Sequence, residues 1–238
     1  MIRLGILYPG YSGERDYAEA EQRLEGVEIR IDHTDVPDDV HVHDAAIRTG
    51  ADEHLHPGAE RLRDWQPDSV FFACTCASFV YGLEGAREQA RKLQEAAGVP
   101  ASSTSLAFVD ALQALGVKRV AVAATYPAEL TSDFVEMLGA AGVEVVAQRS
   151  LGIMSGGEVA ESVTESDATE AVRASDHADA EAILMPDTAL PSLAWVDAVE
   201  AEAGKLLLTA NQVSLWSGLR LAGDRAPRDG FGRLLREA

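Results

Sequence analysis

Apolar residues in this chain come in short runs set between longer amphipathic stretches. Runs at residues 2–8, 27–31, 70–73, 119–124, 143–146, 182–185 and 206–208 are too short for helices and are bounded by glycine, proline or polar residues, which predicts strands. Val70-Phe71-Phe72-Ala73 and Ala182-Ile183-Leu184-Met185 show no alternation, the pattern of a strand covered on both faces. Helical spacing is read at 14–25, 58–66, 83–97, 106–115, 128–141, 158–175, 192–203 and 212–222. Several of these stretches close on glycine (Gly98, Gly116, Gly142, Gly223), the usual residue after a helix. Strand and helix alternate throughout, so the expected fold is α/β with parallel sheet.

A repeat lies inside that order. Aligning Gly116 with Gly223 sets Leu106 on Val213, Leu112 on Leu219 and Thr104 on Asn211, each pair in a polar turn followed by a helix. Cys74-Thr75 and Asp187-Thr188 likewise each follow a buried strand and precede a helix. Two duplicated α/β units related by a pseudo-two-fold axis would bring Cys74 and Asp187 to face each other across one cleft.

The stretch around Cys74 carries the most chemistry. In an open parallel sheet, ligands bind beyond the carboxyl ends of strands, and N–H groups at a helix start favour both a thiolate and a bound carboxylate. A buried structural thiol is the alternative, since free cysteine is among the most buried residue types. Asp187 at a matching strand end suits a proton donor opposite the thiol, or else a helix cap. Thr75, Tyr126 and Thr188 offer donors at strand ends for carboxylates or a developing enolate. Pro9-Gly10-Tyr11-Ser12-Gly13 follows the first strand and is placed to wall the same site, without the glycine fingerprint of a nucleotide fold. No cofactor is needed for such work. Residues 33–56 hold five of the six histidines, His33, His41, His43, His54 and His56. Their spacing matches no metal motif, and the segment is expected to be a solvated loop.

Composition narrows the function classes. At 238 residues with 47% hydrophobic residues the chain can bury a substantial core. No apolar run reaches the ~18 residues of a membrane span, and the amino terminus lacks a signal-peptide pattern, so a cytoplasmic location with no membrane partner is expected. A net charge of -19 repels nucleic acid. With 39 acidic residues and three lysines (Lys92, Lys118, Lys205) the surface suits high salt, where screening removes self-repulsion. Cys74 and Cys76 are too few and too close for a disulfide framework, and no neighbouring residues complete a zinc site. The sequence leaves the oligomeric state open, a homo-oligomer included.

Taken together, Ala73-Cys74-Thr75, residues 112–126 (LQALGVKRVAVAATY), Ser150-Leu151-Gly152-Ile153, residues 183–193 (ILMPDTALPSL), and the tail segments 219–223 and 230–234 resemble the maleate isomerase and arylmalonate decarboxylase family of the aspartate/glutamate racemase superfamily. The resemblance covers nearly the whole chain. It implies two Rossmann-like parallel-sheet domains, 1–112 with 210–238 and 113–209, an active site in the cleft between them, and cofactor-independent chemistry at carbon alpha to a carboxylate of a small acid. Cys74 matches the nucleophile of maleate isomerases, where the decarboxylases have glycine. Asp187 stands where both groups carry a second cysteine. Thr75, Cys76 and Tyr126 match positions that hold the substrate carboxylate or enediolate, Cys76 in place of serine. Thr188 replaces a glycine of the decarboxylase oxyanion hole, and Pro9 and Gly10 fall in the loop lining the pocket. The resemblance implies cis-trans isomerisation of a maleate-type acid first, with decarboxylation or racemisation as alternatives and a small-carboxylate binder without catalysis as the non-enzymatic one.

Overall fold

Two four-stranded parallel sheets with the same strand order organise the computed structural model, which describes residues 1–36 and 38–237. The first half runs β1 (Ile2–Pro9), α1 (Arg15–Arg23), β2 (Val27–Thr34), α2 (His43–Thr49), α3 (Asp52–Arg63), β3 (Ser69–Phe72), α4 (Cys76–Phe79), α5 (Gly82–Ala97), β4 (Ala101–Ser103) and α6 (Thr104–Leu115). The second runs β5 (Arg119–Ala124), α7 (Ala128–Ala140), β6 (Glu144–Ser150), α8 (Gly156–Ser162), α9 (Glu165–Ser175), β7 (Ala182–Met185), α10 (Val196–Ala203), β8 (Leu206–Thr209) and α11 (Ala210–Leu221), and α12 (Gly232–Glu237) follows. Strand order is β2-β1-β3-β4 in one sheet and β6-β5-β7-β8 in the other, every pair parallel. Equivalent positions therefore put β3 on β7. Cys74 lies two residues beyond the end of the first and Asp187 two beyond the end of the second.

The halves are joined through α6 and α11, the helices that follow the last strand of each sheet and pack on one another. Thr104 Oγ1 and Ser214 Oγ share a buried hydrogen bond of 2.7 Å between them. Residues 210–219 of α11 are all buried, which is why this helix shows little amphipathic pattern: one side meets α6 and another lies on β1, β3 and β4. Gly218 makes that approach possible, because a Cβ there would stand 2.7 Å from Leu4 Cδ1. Behind the cleft, Phe79 and Phe108 of the first half meet Phe134 of the second at ring distances of 5.4 Å each, and Phe79 also meets Tyr126 at 5.8 Å. Each fully buried ring contributes about 1.5–3 kcal/mol of transfer free energy, so this seam holds the two halves as one core.

Four local expectations are corrected. The histidine-rich segment is not a loop throughout, since α2 and α3 occupy much of it. Leu55, Ala59 and Leu62 form a buried helical stripe in α3 that its histidines and Pro57 obscure in the sequence. The acidic stretch 158–175 is two helices, because Thr164 starts a new one with a capping box to Asp167. The helix expected from 192 starts at Val196, so Asp187 stands in a turn rather than at a helix cap. Finally, β4 and α12 are regular elements in segments read as irregular.

The excess of acidic groups carries a testable consequence. Raising ionic strength shortens the screening length from ~30 Å at 0.01 M to ~3 Å at 1 M, which removes long-range repulsion among 39 acids while costing the exposed ion pairs little. Thermal unfolding should therefore move up by at least about 1 kcal/mol, roughly 2–4 °C, between dilute buffer and molar KCl. An unchanged or lower Tm in KCl rules out a salt-adapted surface.

Candidate active site

Loops at the carboxyl ends of both sheets enclose a cavity of about 130 Å³ lined by residues of both halves. Pro9, Gly10, Cys74, Cys76, Tyr126, Asp187 and Thr188 all line it. Thr75 does not; it is fully buried between the two cysteines, and its Oγ1 makes no hydrogen bond, although it lies near enough to the Tyr126 hydroxyl to favour that group's ionised form.

The first wall is the β1–α1 loop. Gly10 has φ +67°, a left-handed conformation that only glycine adopts without strain, and it turns the chain back over β2, where Gly10 O meets His33 Nδ1 at 2.6 Å. Gly13 presses against the other half so closely that a Cβ would sit 2.3 Å from Thr188 O. Tyr8, buried at the end of β1, donates its hydroxyl to Thr188 O (2.9 Å) and accepts from Gly13 N (2.9 Å). Asn211 Nδ2 also donates to Thr188 O (3.1 Å) and to Asp16 Oδ2 (2.9 Å). Asp16 in turn accepts from Ser192 N and Leu193 N. Burial raises the Asp16 carboxyl to about 6 against these donors. The segment after Asp187 is thus pinned from three sides, so its backbone is preorganised before substrate arrives.

At the floor, the Cys74 and Cys76 sulfurs lie 3.9 Å apart. The Cys76 thiol is pushed well up, first by its contact with Cys74 and then by burial, so Cys76 remains an S–H beside the Cys74 sulfur. The helix that starts at Cys76 has only four residues and carries little macrodipole, so the thiol of Cys76 is the nearer polar neighbour of the Cys74 sulfur. Tyr126 is buried, and desolvation together with the charges of Asp187 and the two cysteines holds its hydroxyl far above the usual phenol value. It stays an O–H donor. Asp187 accepts from Ala189 N at Oδ1 (2.9 Å) and from Thr125 Oγ1 at Oδ2. Burial raises its carboxyl, while His41, Thr125 and Ala189 pull in the opposite direction.

His41, read in the sequence as part of a solvated loop, is a cavity-lining side chain instead. It sits 7% exposed on the segment between β2 and α2 and lines the cavity. Its backbone N donates to Met154 O (2.6 Å), and its Nδ1 bonds Ile153 O (2.9 Å), which fastens this segment across the cleft. Its ring stands edge-on to Tyr126 at 4.8 Å. Burial lowers the imidazole pKa, but the charges of Asp187 and Cys76 and the Ile153 carbonyl outweigh it, so the net shift is upward. The available signal was positional: residues 35–42 follow a strand whose carboxyl end faces the cleft, and His41 lies between Val40 and Val42.

Comparison with known proteins gives a consistent picture. The family model described as arylmalonate decarboxylase matches residues 48–235. The chain is 30% identical over 198 residues to the arylmalonate decarboxylase of Bordetella bronchiseptica, covering 82% of this chain and 80% of that one. It is 30% identical over 182 residues to a maleate isomerase of Nocardia farcinica, covering 74% and 72%. Among solved structures, the maleate isomerase Iso from Pseudomonas putida S16 superposes with TM-score 0.90 at 23% identity over 99% of this chain and 98% of that one. A liganded double variant of arylmalonate decarboxylase superposes with TM-score 0.88 at 26% identity over 100% of both.

Proposed function

Because the chain belongs to the arylmalonate decarboxylase family, which makes it a relative of maleate isomerases and decarboxylases alike, we propose that it catalyses cis-trans isomerisation of a small unsaturated dicarboxylate by reversible addition of the Cys74 thiolate. One observation carries this reading. Cys74 opens into the cavity between the halves, whereas the facing strand end offers Asp187 and no second thiol. Decarboxylation leaves a carbanion that must be protonated from the opposite face, and the resemblance assigns that task to the missing cysteine. Addition to a double bond needs the nucleophile that is present.

The thiolate attacks one olefinic carbon, the π electrons pass to its neighbour, and the adjacent carboxylate spreads the charge. Rotation about the resulting single bond and expulsion of the thiolate give the trans acid. Tyr126 and the backbone N–H groups at the strand ends stabilise the charged carboxylate, and the proton that the carbanion takes up after addition is removed again from the same carbon as the thiolate leaves. A variant of the Nocardia farcinica maleate isomerase has been solved with a covalently bound succinylcysteine, the adduct that such an addition forms from maleate.

The test is a substrate panel of maleate, aryl malonates and amino acids, run in high salt without added cofactor and followed by proton NMR. Conversion of maleate to fumarate is expected. Loss of carbon dioxide from an aryl malonate, or racemisation of an amino acid, with no isomerisation overturns the reading in favour of the other activities.

A further inference from the structure

We propose that His41 is the proton donor and acceptor of this site, acting with Asp187, which lines the same cavity, so that a histidine and an aspartate together do what the resemblance assigns to a second cysteine. The inference rests on the isomerase reading for its substrate and on the site geometry for everything else.

Both oxygens of Asp187 are held by donors. Oδ1 faces the Ala189 N–H, which can only donate, and Oδ2 accepts the Thr125 hydroxyl. Each oxygen has a donor already in place, one from a backbone amide and one from a hydroxyl of the strand-end loops. Asp187 is therefore anchored at both oxygens, the arrangement of a group that orients a partner across the cavity. His41 is well arranged to be the acid. A carbonyl only accepts, so the bond to Ile153 O fixes the hydrogen on Nδ1 and leaves Nε2 as the atom that gains and loses a proton. The groups facing this ring are Asp187 beyond β7, Cys76 at the start of α4, Tyr126 beyond β5 and Asp39 on its own segment. Asp39 is itself held by Gly156 N and Gly157 N at 3.0 Å each, which ties it to the start of α8. Asp187 acts on the ring through space rather than by a direct hydrogen bond, and it is the first of the charges favouring the imidazolium.

The step balances. As the Cys74 sulfur forms its C–S bond, the π pair moves to the adjacent carbon, and the Nε2–H proton is transferred to that carbon, leaving neutral His41. After rotation about the C–C single bond, Nε2 takes a proton from the same carbon, the double bond re-forms, and the C–S bond breaks with its electron pair returning to sulfur. Thiolate and imidazolium are both restored.

His41→Asn tests the proposal, because Asn can still donate to Ile153 O from nearly the place of Nδ1 but has nothing at Nε2. On whichever panel substrate the enzyme turns over, kcat is expected to fall roughly 10² to 10⁴-fold, with the Kd of succinate changed only a few-fold. In the wild type kcat should decline as pH rises through a His41 pKa above ~6.5, and that alkaline limb should vanish in the variant. Wild-type kcat with an unchanged alkaline limb in His41→Asn overturns the proposal. Imidazole NMR of labelled protein tests the pair without turnover. His41 should titrate above its ordinary value in the wild type and lower in Asp187→Asn, and a titration that does not respond to Asp187 overturns the pairing. If no unsaturated dicarboxylate is turned over, the isomerase reading fails, and the NMR titration still decides the pairing.

Discussion

Replacing Cys74 by serine should abolish turnover, lowering kcat by about 10⁴ or more while leaving the fold intact. The two side chains differ by one atom and little volume, and Cys74 is buried at 6% exposure, so packing changes little. The chemistry changes greatly. A serine hydroxyl has no appreciable anionic fraction near neutral pH, and no base is hydrogen-bonded to this position; its sulfur neighbour is the Cys76 thiol. Cys76→Ser should be far milder, because a hydroxyl there can still donate toward the Cys74 sulfur. Steady-state kinetics on the true substrate and intact-mass detection of an adduct at Cys74 make the comparison. If Cys74→Ser keeps wild-type turnover, or if a substrate-like electrophile labels Cys76 ahead of Cys74, then Cys74 is a structural thiol and the addition mechanism is wrong.

How much of this was legible in the chain depends on whether a residue's role is set locally. The buried strands β3 and β7 read correctly because four consecutive apolar residues between polar bounds have few other uses, and each carries its reactive residue just past its end. From that pattern both walls of the cavity followed. What failed were features decided by tertiary context. Residues 52–57 were read as part of a solvated loop because α3 buries only one narrow stripe, and the break that divides 158–175 into two helices is set by a capping box rather than by periodicity. His41 was invisible for a different reason: a histidine among acids reads as solvated until the Ile153 and Met154 carbonyls, more than a hundred residues away, are seen to hold it. Only the rule that loops at strand carboxyl ends converge on one site pointed to it.

Asp187→Asn should separate a catalytic carboxylate from a structural one, because only a catalytic role couples a loss of activity to an unchanged or higher stability. If the carboxylate sustains the His41 imidazolium, its loss removes the first of the charges favouring that cation and lowers the imidazole pKa. The protonated fraction then disappears at lower pH. Accordingly kcat should fall roughly 10² to 10⁴-fold near neutral pH and less at pH 6, where more imidazolium survives. Stability should move the other way. Burial raises the Asp187 carboxyl in the folded protein, so the fold favours its protonated form, and stability attributable to the group is greatest below its unfolded value and declines as pH rises through the folded one. An amide that never ionises escapes that penalty. It still accepts from Ala189 N through Oδ1, and Thr125 can turn its hydroxyl to accept from Nδ2, so the Asn variant should be as stable as the wild type at pH 7 or more so. Were Asp187 present only to hold its turn, Asn would serve nearly as well and turnover would persist. Asp187→Cys adds a third outcome: restoring the thiol that the resemblance places here should lower isomerisation and raise carbon dioxide release from an aryl malonate. Full turnover by Asp187→Asn on the true substrate would retire Asp187 from the mechanism and leave His41 without the partner that makes it an acid at neutral pH.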